Sequence, residues 1–200
     1  MPFVAGVDSS TQSTKVEIRD LDSGEIAGSG SAPHPAVTPP VSEQDPTSWW
    51  GAFQTAWGQA IADMPEGSDD VRAISVAGQQ HGMVALNALD QPVHPAKLWN
   101  DTETAPDAGW LLGQLADRDA DGARINDGTE AWAAAVGSVP VAAFTATKLS
   151  WLHRSHPDAW GRMAKVLLPH DYLTHRLTGA YTTDRGDASG TGYWSPAAGE

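Results

Sequence analysis

Phe3-Val4-Ala5-Gly6-Val7-Asp8-Ser9-Ser10-Thr11-Gln12-Ser13-Thr14-Lys15-Val16-Glu17-Ile18-Arg19 is the stretch on which the fold turns. Phe3 to Val7 is a short apolar run that stops at Asp8. Ser9 to Thr14 is small and polar and reads as a turn. Lys15 to Arg19 then alternates polar and apolar, the period of a half-buried strand. Asp22-Ser23-Gly24-Glu25 supplies turn chemistry, and Ile26 to Ala32 reads as a third strand. The first thirty residues therefore predict a three-stranded antiparallel meander.

Beyond a proline-rich loop from Pro33 to Pro40, the first strong helix signal appears. Asp45 is a good N-cap, and Pro46 suits the first helical position, where its missing N–H costs nothing. Trp49, Trp50, Phe53, Trp57, Ala60, Ile61 and Met64 recur at spacings of three and four, an amphipathic helix that Pro65-Glu66-Gly67 ends. Val71 to Ala77 is strand-like and stops at Gly78. Met83–Ala88 and Lys97–Trp99 read as two arms of a hairpin around Asp90-Gln91-Pro92. Glu103–Asp117 and Thr145–His153 read as helices, the second closed by Pro157 with a further helical turn or two over Asp158–Met163, and Asp119–Gly128 as a polar loop or a poor helix. Lys165–Leu168 reads as a buried strand. Tyr172–Leu177 reads as a helix that Gly179 stops, and Thr182–Trp194 as a polar, Gly-rich segment. This order, β-β-β-α-β followed by helices and a β-α pair, predicts an α/β fold of ribonuclease H-like or actin-like type. Its mixed sheet combines the meander with parallel strands and is flanked by helices.

Composition bounds the chemistry. The chain has 200 residues, 12 Lys+Arg against 25 Asp+Glu, and a net charge of −13. At roughly 100–200 residues per domain, this is one domain, or one with part of a second. Zero cysteines exclude a disulfide scaffold, a cysteine nucleophile, a thiolate zinc site and an iron–sulfur cluster. The acidity argues against nucleic acid as a partner, because phosphate neutralisation needs clustered Lys and Arg. No stretch approaches the roughly 18 apolar residues of a membrane span, and the N-terminus lacks a signal pattern, so a cytoplasmic location with no membrane partner is the expectation.

Polar residues gather at the carboxyl ends of the predicted strands, where open α/β sheets bind ligands. Asp8 could hold a hydrated Mg²⁺, and its turn, with Thr11 and Ser13, offers hydroxyl and backbone N–H groups to a phosphate beside Lys15. A plain β-turn without a ligand accounts for the same residues. Gln80 and His81, flanked by Gly78 and Gly82, offer donors and acceptors suited to hydroxyls; a hairpin start with a surface histidine is the alternative. Trp99-Asn100-Asp101 combines a stacking surface with hydroxyl-binding groups, against a core tryptophan and a helix cap. His153 and His156 read as a solvated face, and Trp110, Trp132 and Trp160 as packing residues.

Taken in order, these stretches resemble the FGGY family of carbohydrate kinases, and within it the xylulose kinases. Asp8-Ser9-Ser10-Thr11-Gln12-Ser13-Thr14-Lys15 resembles D-x-G-T-x-x-x-K. Ser42-Glu43-Gln44-Asp45-Pro46 with Trp49-Trp50 resembles S-E-Q-D-P…W-W. Gly78-Gln79-Gln80-His81-Gly82 resembles G-Q-x-H-G, and Leu98-Trp99-Asn100-Asp101 resembles L-W-N-D. Phe144 to Leu149 resembles F-T-A-x-K-L, Leu167 to Leu173 resembles L-L-P-x-D-Y-L, and Thr183 to Thr191 resembles the segment S/T-D…D-A-S/A-G-T. The resemblance implies ATP-dependent phosphorylation of D-xylulose to xylulose 5-phosphate, with Asp8 near Mg·ATP and the phosphates at Thr11, Ser13 and Lys15. Gln80, His81, Trp99, Asn100 and Asp101 align with sugar binding. It also implies that residues 1–200 are the N-terminal, sugar-binding lobe of a two-lobed enzyme, inactive alone, with the catalytic Asp beyond Glu200. A homodimer of the full-length protein stays open.

Ser10 stands where the motif has Gly, and because serine disfavours positive φ the turn is expected to be less tight. Competing readings are a kinase of ribulose, gluconate or glycerol, a ribonuclease H-like nuclease, and a non-catalytic remnant. A gluconate kinase needs a cation for the carboxylate, and a nuclease needs converging carboxylates and a basic face.

Overall fold

The computed structural model describes residues 2–64 and 70–200, which form two compact units. The expected helix stop at Pro65-Glu66-Gly67 lies outside the described residues. The first unit comprises residues 1–36, 45–79 and 170–181.

The first unit holds the predicted meander. Strands β1 (Phe3–Ser9), β2 (Ser13–Asp20) and β3 (Ile26–Pro33) run antiparallel, and β5 (Val71–Gly78) adds in parallel to β1, giving the order β3-β2-β1-β5. The strand β4 (Glu43–Gln44) lies in the second unit. Alternation sends Ala5, Val7, Val16 and Ile18 to one face, where they bury against Phe53, Ala56 and Ala60 of helix α1 (Pro46–Asp63). Asp45 caps that helix as expected, its carboxylate accepting the Thr47 N–H at 2.8 Å. Gly28 and Gly30 let α1 lie close on β3. A Cβ at either position would stand 2.0 Å from the carbonyl oxygen of Ala60 or Ala56, respectively. Residues of helix α6 (Pro169–Thr178) complete the unit: Tyr172 meets Trp49 edge-on at 6.3 Å between ring centroids, and Gly179 follows at φ +74°.

The second unit comprises residues 37–44, 80–169 and 182–200. Here β4 pairs with β7 (Ala96–Lys97), and β6 (Val84–Leu86) pairs with β8 (Lys165–Leu167), both antiparallel. Helices α2 (Ala105–Leu112), α3 (Thr129–Val136), α4 (Thr145–Ser155), α5 (Pro157–Arg162) and α7 (Arg185–Ala188) surround them. Met83, Ala85, Val93, Trp151, Leu152 and Ala159 make the core.

Several local expectations change in this unit. The anticipated hairpin survives only as single bridges, Met83 to Lys97 and Leu86 to Pro92; the ladders of β6 and β7 go to distant β8 and β4. The strand β8 is antiparallel to β6 and outside the main sheet, so Asp171 sits in the first turn of α6 rather than at a sheet end. The expected turns after Pro157 are present as α5, which Pro157 opens as it closes α4. Trp110 is exposed rather than packed, whereas Trp160 meets the His153 ring edge-on at 5.0 Å and Trp132 donates its Nε1–H to the Leu111 carbonyl at 2.9 Å. No helix among the described residues is long and apolar enough to cross a membrane.

Candidate functional site

The nominated residues divide between the two units, and each group is built differently. In the first unit the chain reverses over Ser10-Thr11-Gln12. The Ser10 N–H and hydroxyl both donate to the Ser13 carbonyl, at 3.0 and 3.1 Å. The Thr11 hydroxyl donates to Gln79 Oε1 at 3.3 Å, and the Gln79 N–H donates to the Ser9 carbonyl at 3.1 Å. Beneath the turn, Thr14 Oγ1 donates to Ser9 Oγ and meets His34 Nε2 at 2.8 Å. Burial pushes the His34 imidazole below its ordinary pKa, although the backbone of Ser10 and Thr11 pulls the other way. The turn is therefore fixed from inside. Ser10 does so without positive φ: among the described residues only His81 and Asp90 adopt it without being glycine.

Asp8 and Lys15 face each other across β1 and β2, both exposed, on the side of the sheet away from α1. They line an open cavity of about 1040 Å³ with Val4, Gly6, Glu17 and Ile74. One hydrated carboxylate beside hydroxyls suits a Mg²⁺ ion that keeps its waters, so the donor set fits the expected ion at Asp8.

In the second unit Gln80 is exposed, and His81 makes the chain's sharp bend itself at φ +60°. The flanking glycine Gly82 serves close approach instead: a Cβ there would meet Pro169 Cγ at 2.7 Å. The His81 ring lies 5.4 Å from the Phe144 ring, the His81 carbonyl accepts the Thr145 hydroxyl at 3.2 Å, and a Cβ at Gly190 would fall 2.0 Å from His81 Cε1. Burial holds the imidazole below its ordinary pKa; Asp187 opposes this and Lys148 reinforces it. In its neutral form the ring offers one donor and one acceptor nitrogen.

The Leu98–Asp101 segment is a tight turn, closed by the Asp101 N–H on the Leu98 carbonyl at 3.2 Å. It leaves Trp99 48% exposed and Asp101 fully buried, which removes the core-tryptophan and helix-cap alternatives; α2 is preceded by Thr104. Asp101 Oδ2 accepts the Ser42 N–H at 2.8 Å and Lys97 Nζ at 3.0 Å. Asp101 Oδ1 and Asn100 Oδ1 are buried with no hydrogen-bond partner among the described residues. Lys97 also meets Glu43 at 2.9 Å and Glu103 at 2.5 Å. Burial lowers its pKa, but Glu103, Glu43 and Asp101 outweigh that and raise it overall. Lys148 is buried with its ammonium on the Ala142 and Ala143 carbonyls, and burial lowers its pKa to about 7. Phe144, Thr145, Lys148 and Gly190 were absent from the strand-end reading. Their only signal was the order of the F-T-A-x-K-L and D-A-S-G-T stretches. His153 and His156 are exposed, as expected; the His153 ring meets Trp160 edge-on and the His156 ring lies tilted against Trp151.

A mixed sheet of order β3-β2-β1-β5, an antiparallel meander extended by a parallel strand and flanked by helices, is the arrangement of the actin-like ATPase fold. The model of the FGGY family of carbohydrate kinases, N-terminal domain, matches residues 3–195, and the chain belongs to that family. The xylulose kinases of Streptomyces coelicolor and Streptomyces rubiginosus are 47% and 45% identical over 194 residues, covering 97% of this chain and 37% of each relative. The crystal structure of xylulose kinase from Bifidobacterium adolescentis superposes with a TM-score of 0.84 at 40% identity, covering 100% of this chain and 41% of that one. The chain thus spans well under half the length of these relatives.

Proposed function

We propose that residues 1–200 form the sugar-binding lobe of an ATP-dependent kinase that converts D-xylulose to xylulose 5-phosphate. The observation that carries this reading is the pair of buried acceptor oxygens on the consecutive residues Asn100 and Asp101, neither of which has a hydrogen-bond partner among the described residues. Buried acceptors without donors are costly, and a sugar hydroxyl supplies the donor. Trp99 offers an exposed face for the apolar side of the sugar, and Gln80 a further amide. ATP would supply the phosphoryl group. Asp8 would hold Mg²⁺ through water, where the ion neutralises phosphate charge, and Thr11, Ser13 and Lys15 would flank the phosphates. The residues nominated for the sugar carry no cation to spare, because Lys97 is saturated by carboxylates. That favours a neutral sugar over gluconate.

Calorimetric titration of the chain with D-xylulose, ribulose, glycerol and gluconate tests the reading. The expected result is tightest binding of D-xylulose and none of gluconate. Gluconate binding at least as tight as D-xylulose would overturn it. ATP- and xylulose-dependent ADP release by the 200-residue chain alone would overturn its assignment as a lobe that needs the remainder of a longer enzyme.

A further inference from the structure

We infer that Lys97 is a positioning residue for sugar recognition: it clasps one oxygen of Asp101 and leaves the other for a substrate hydroxyl. The inference rests on the sugar reading above and adds a residue to it.

Lys97 is fully buried, which is rare for lysine unless it is paired. Its backbone is pinned, since its N–H donates to the Met83 carbonyl at 3.2 Å and its carbonyl accepts the Met83 N–H at 2.8 Å. The ammonium has three protons and three carboxylates around it: Glu43, Asp101 and Glu103. The Trp151 ring covers it, with its centroid 3.9 Å from Nζ. All donors are therefore spent. Lys97 and Asp101 stand at the base and top of the tight turn, so the contact between them sets the carboxylate's orientation. The Ser42 N–H fixes the same oxygen from β4's flank. With Oδ2 holding both, Oδ1 is left in a buried position with no donor among the described residues. One cation against three carboxylates leaves the cluster negative, so the vacant acceptor suits an uncharged hydroxyl and repels an anion. Glu43 and Glu103 complete the ammonium's shell without touching Asp101 in this network, so they separate a structural hub from a positioning contact.

D-Xylulose is titrated into the chain and into Lys97→Met, Glu103→Gln and Asp101→Asn, with unfolding midpoints measured in parallel. The expected result is affinity about 30-fold weaker for Lys97→Met and for Asp101→Asn, and within about threefold of the parent for Glu103→Gln. Loss in Asp101→Asn with retention in Lys97→Met overturns the positioning role and leaves the sugar reading standing. Retention in Asp101→Asn, or no response of the parent chain, overturns the sugar reading and this inference with it. Equal loss in Glu103→Gln and Lys97→Met makes the cluster a structural hub and overturns positioning. Should Lys97→Met fail to fold, the ammonium resonance of Lys97 in the parent chain decides. It should shift on addition of D-xylulose while that of Lys165, held by Asp90, does not; an unmoved Lys97 signal overturns the inference.

Discussion

The hairpin at Ser9–Ser13 and the turn at Leu98–Asp101 both reverse the chain beside a carboxylate, and they treat that carboxylate in opposite ways. Asp8 is exposed near the end of a strand, opposite Lys15 on β2 and level with Ala77 on the parallel strand β5. Asp101 is fully buried, held by Ser42 from 59 positions away and by a lysine that is itself buried. A hydrated carboxylate keeps the mobile water that a Mg²⁺ site needs. A desolvated one with a single free lone-pair side is directional, which is what discrimination among hydroxyls requires. The first region rests on apolar packing of α1 on β1 and β2, with β3 drawn close through its glycines; the second combines an apolar core with buried charged groups.

If that contrast is right, pH should separate the two regions most strongly. The Lys148 pKa is about 7 in the folded chain against 10.5 for an ordinary lysine. Between those values the unfolded chain holds a proton that the folded chain has released. Stability from this group therefore rises as pH goes from about 7 to about 10.5, by up to about 1.4 kcal/mol per pH unit, and is flat below 7. Urea midpoints measured across that range should climb in the parent relative to Lys148→Met; parallel curves would remove buried charge from the account of the second unit. The next largest effect lies in the first unit. Gly30→Val places side-chain carbon against the Ala56 carbonyl and forces α1 off β3, at a cost of about 3 kcal/mol. Hydrogen exchange should show protection lost in β1–β3 and α1, and kept at the Leu98 and Asp101 amides. Loss of protection at Leu98 and Asp101 too would break the distinction.

The same contrast explains what the sequence disclosed. The meander, the Asp45-Pro46 helix start and the Gly179 stop are local devices: alternation, a cap and a positive-φ glycine need no distant partner to be recognised. The second unit hid most of its structure because two-residue strands such as β4 and β7 carry no period, and their pairing joins residues some fifty positions apart. Lys97 reads in sequence as a polar strand position, and only three carboxylates from separate segments explain its burial. Gly78 and Gly82 suggested where the chain bends but not that His81 takes the positive φ between them. Exposed Trp110 was misread because an aromatic residue does not reveal which face of its helix finds a partner. The short helices α3 and α7 lie in Ala-, Gly- and Asp-rich segments whose weak periodicity is overridden by tertiary contacts. The nominated site residues were legible as types at strand ends; the shell that orients them was not.

Substitution of the two carboxylates themselves gives the smallest changes in stability and the sharpest test of the comparison. Asp101→Asn keeps an acceptor for the Ser42 N–H but withdraws one of three anions from Lys97, so about 1–2 kcal/mol should be lost in urea unfolding. Asp8→Asn removes an exposed charge with no core role, and the unfolding midpoint should move by less than about 0.5 kcal/mol. Binding should invert that ranking for the nucleotide. Titrated with Mg·ATP, the Asp8→Asn chain should lose response while Asp101→Asn retains it; titrated with D-xylulose, Asp101→Asn should lose response while Asp8→Asn retains it. If both substitutions weaken the same ligand and spare the other, the two carboxylates do not divide the work between phosphate and sugar. If Asp8→Asn destabilises as much as Asp101→Asn, exposure is not what distinguishes them.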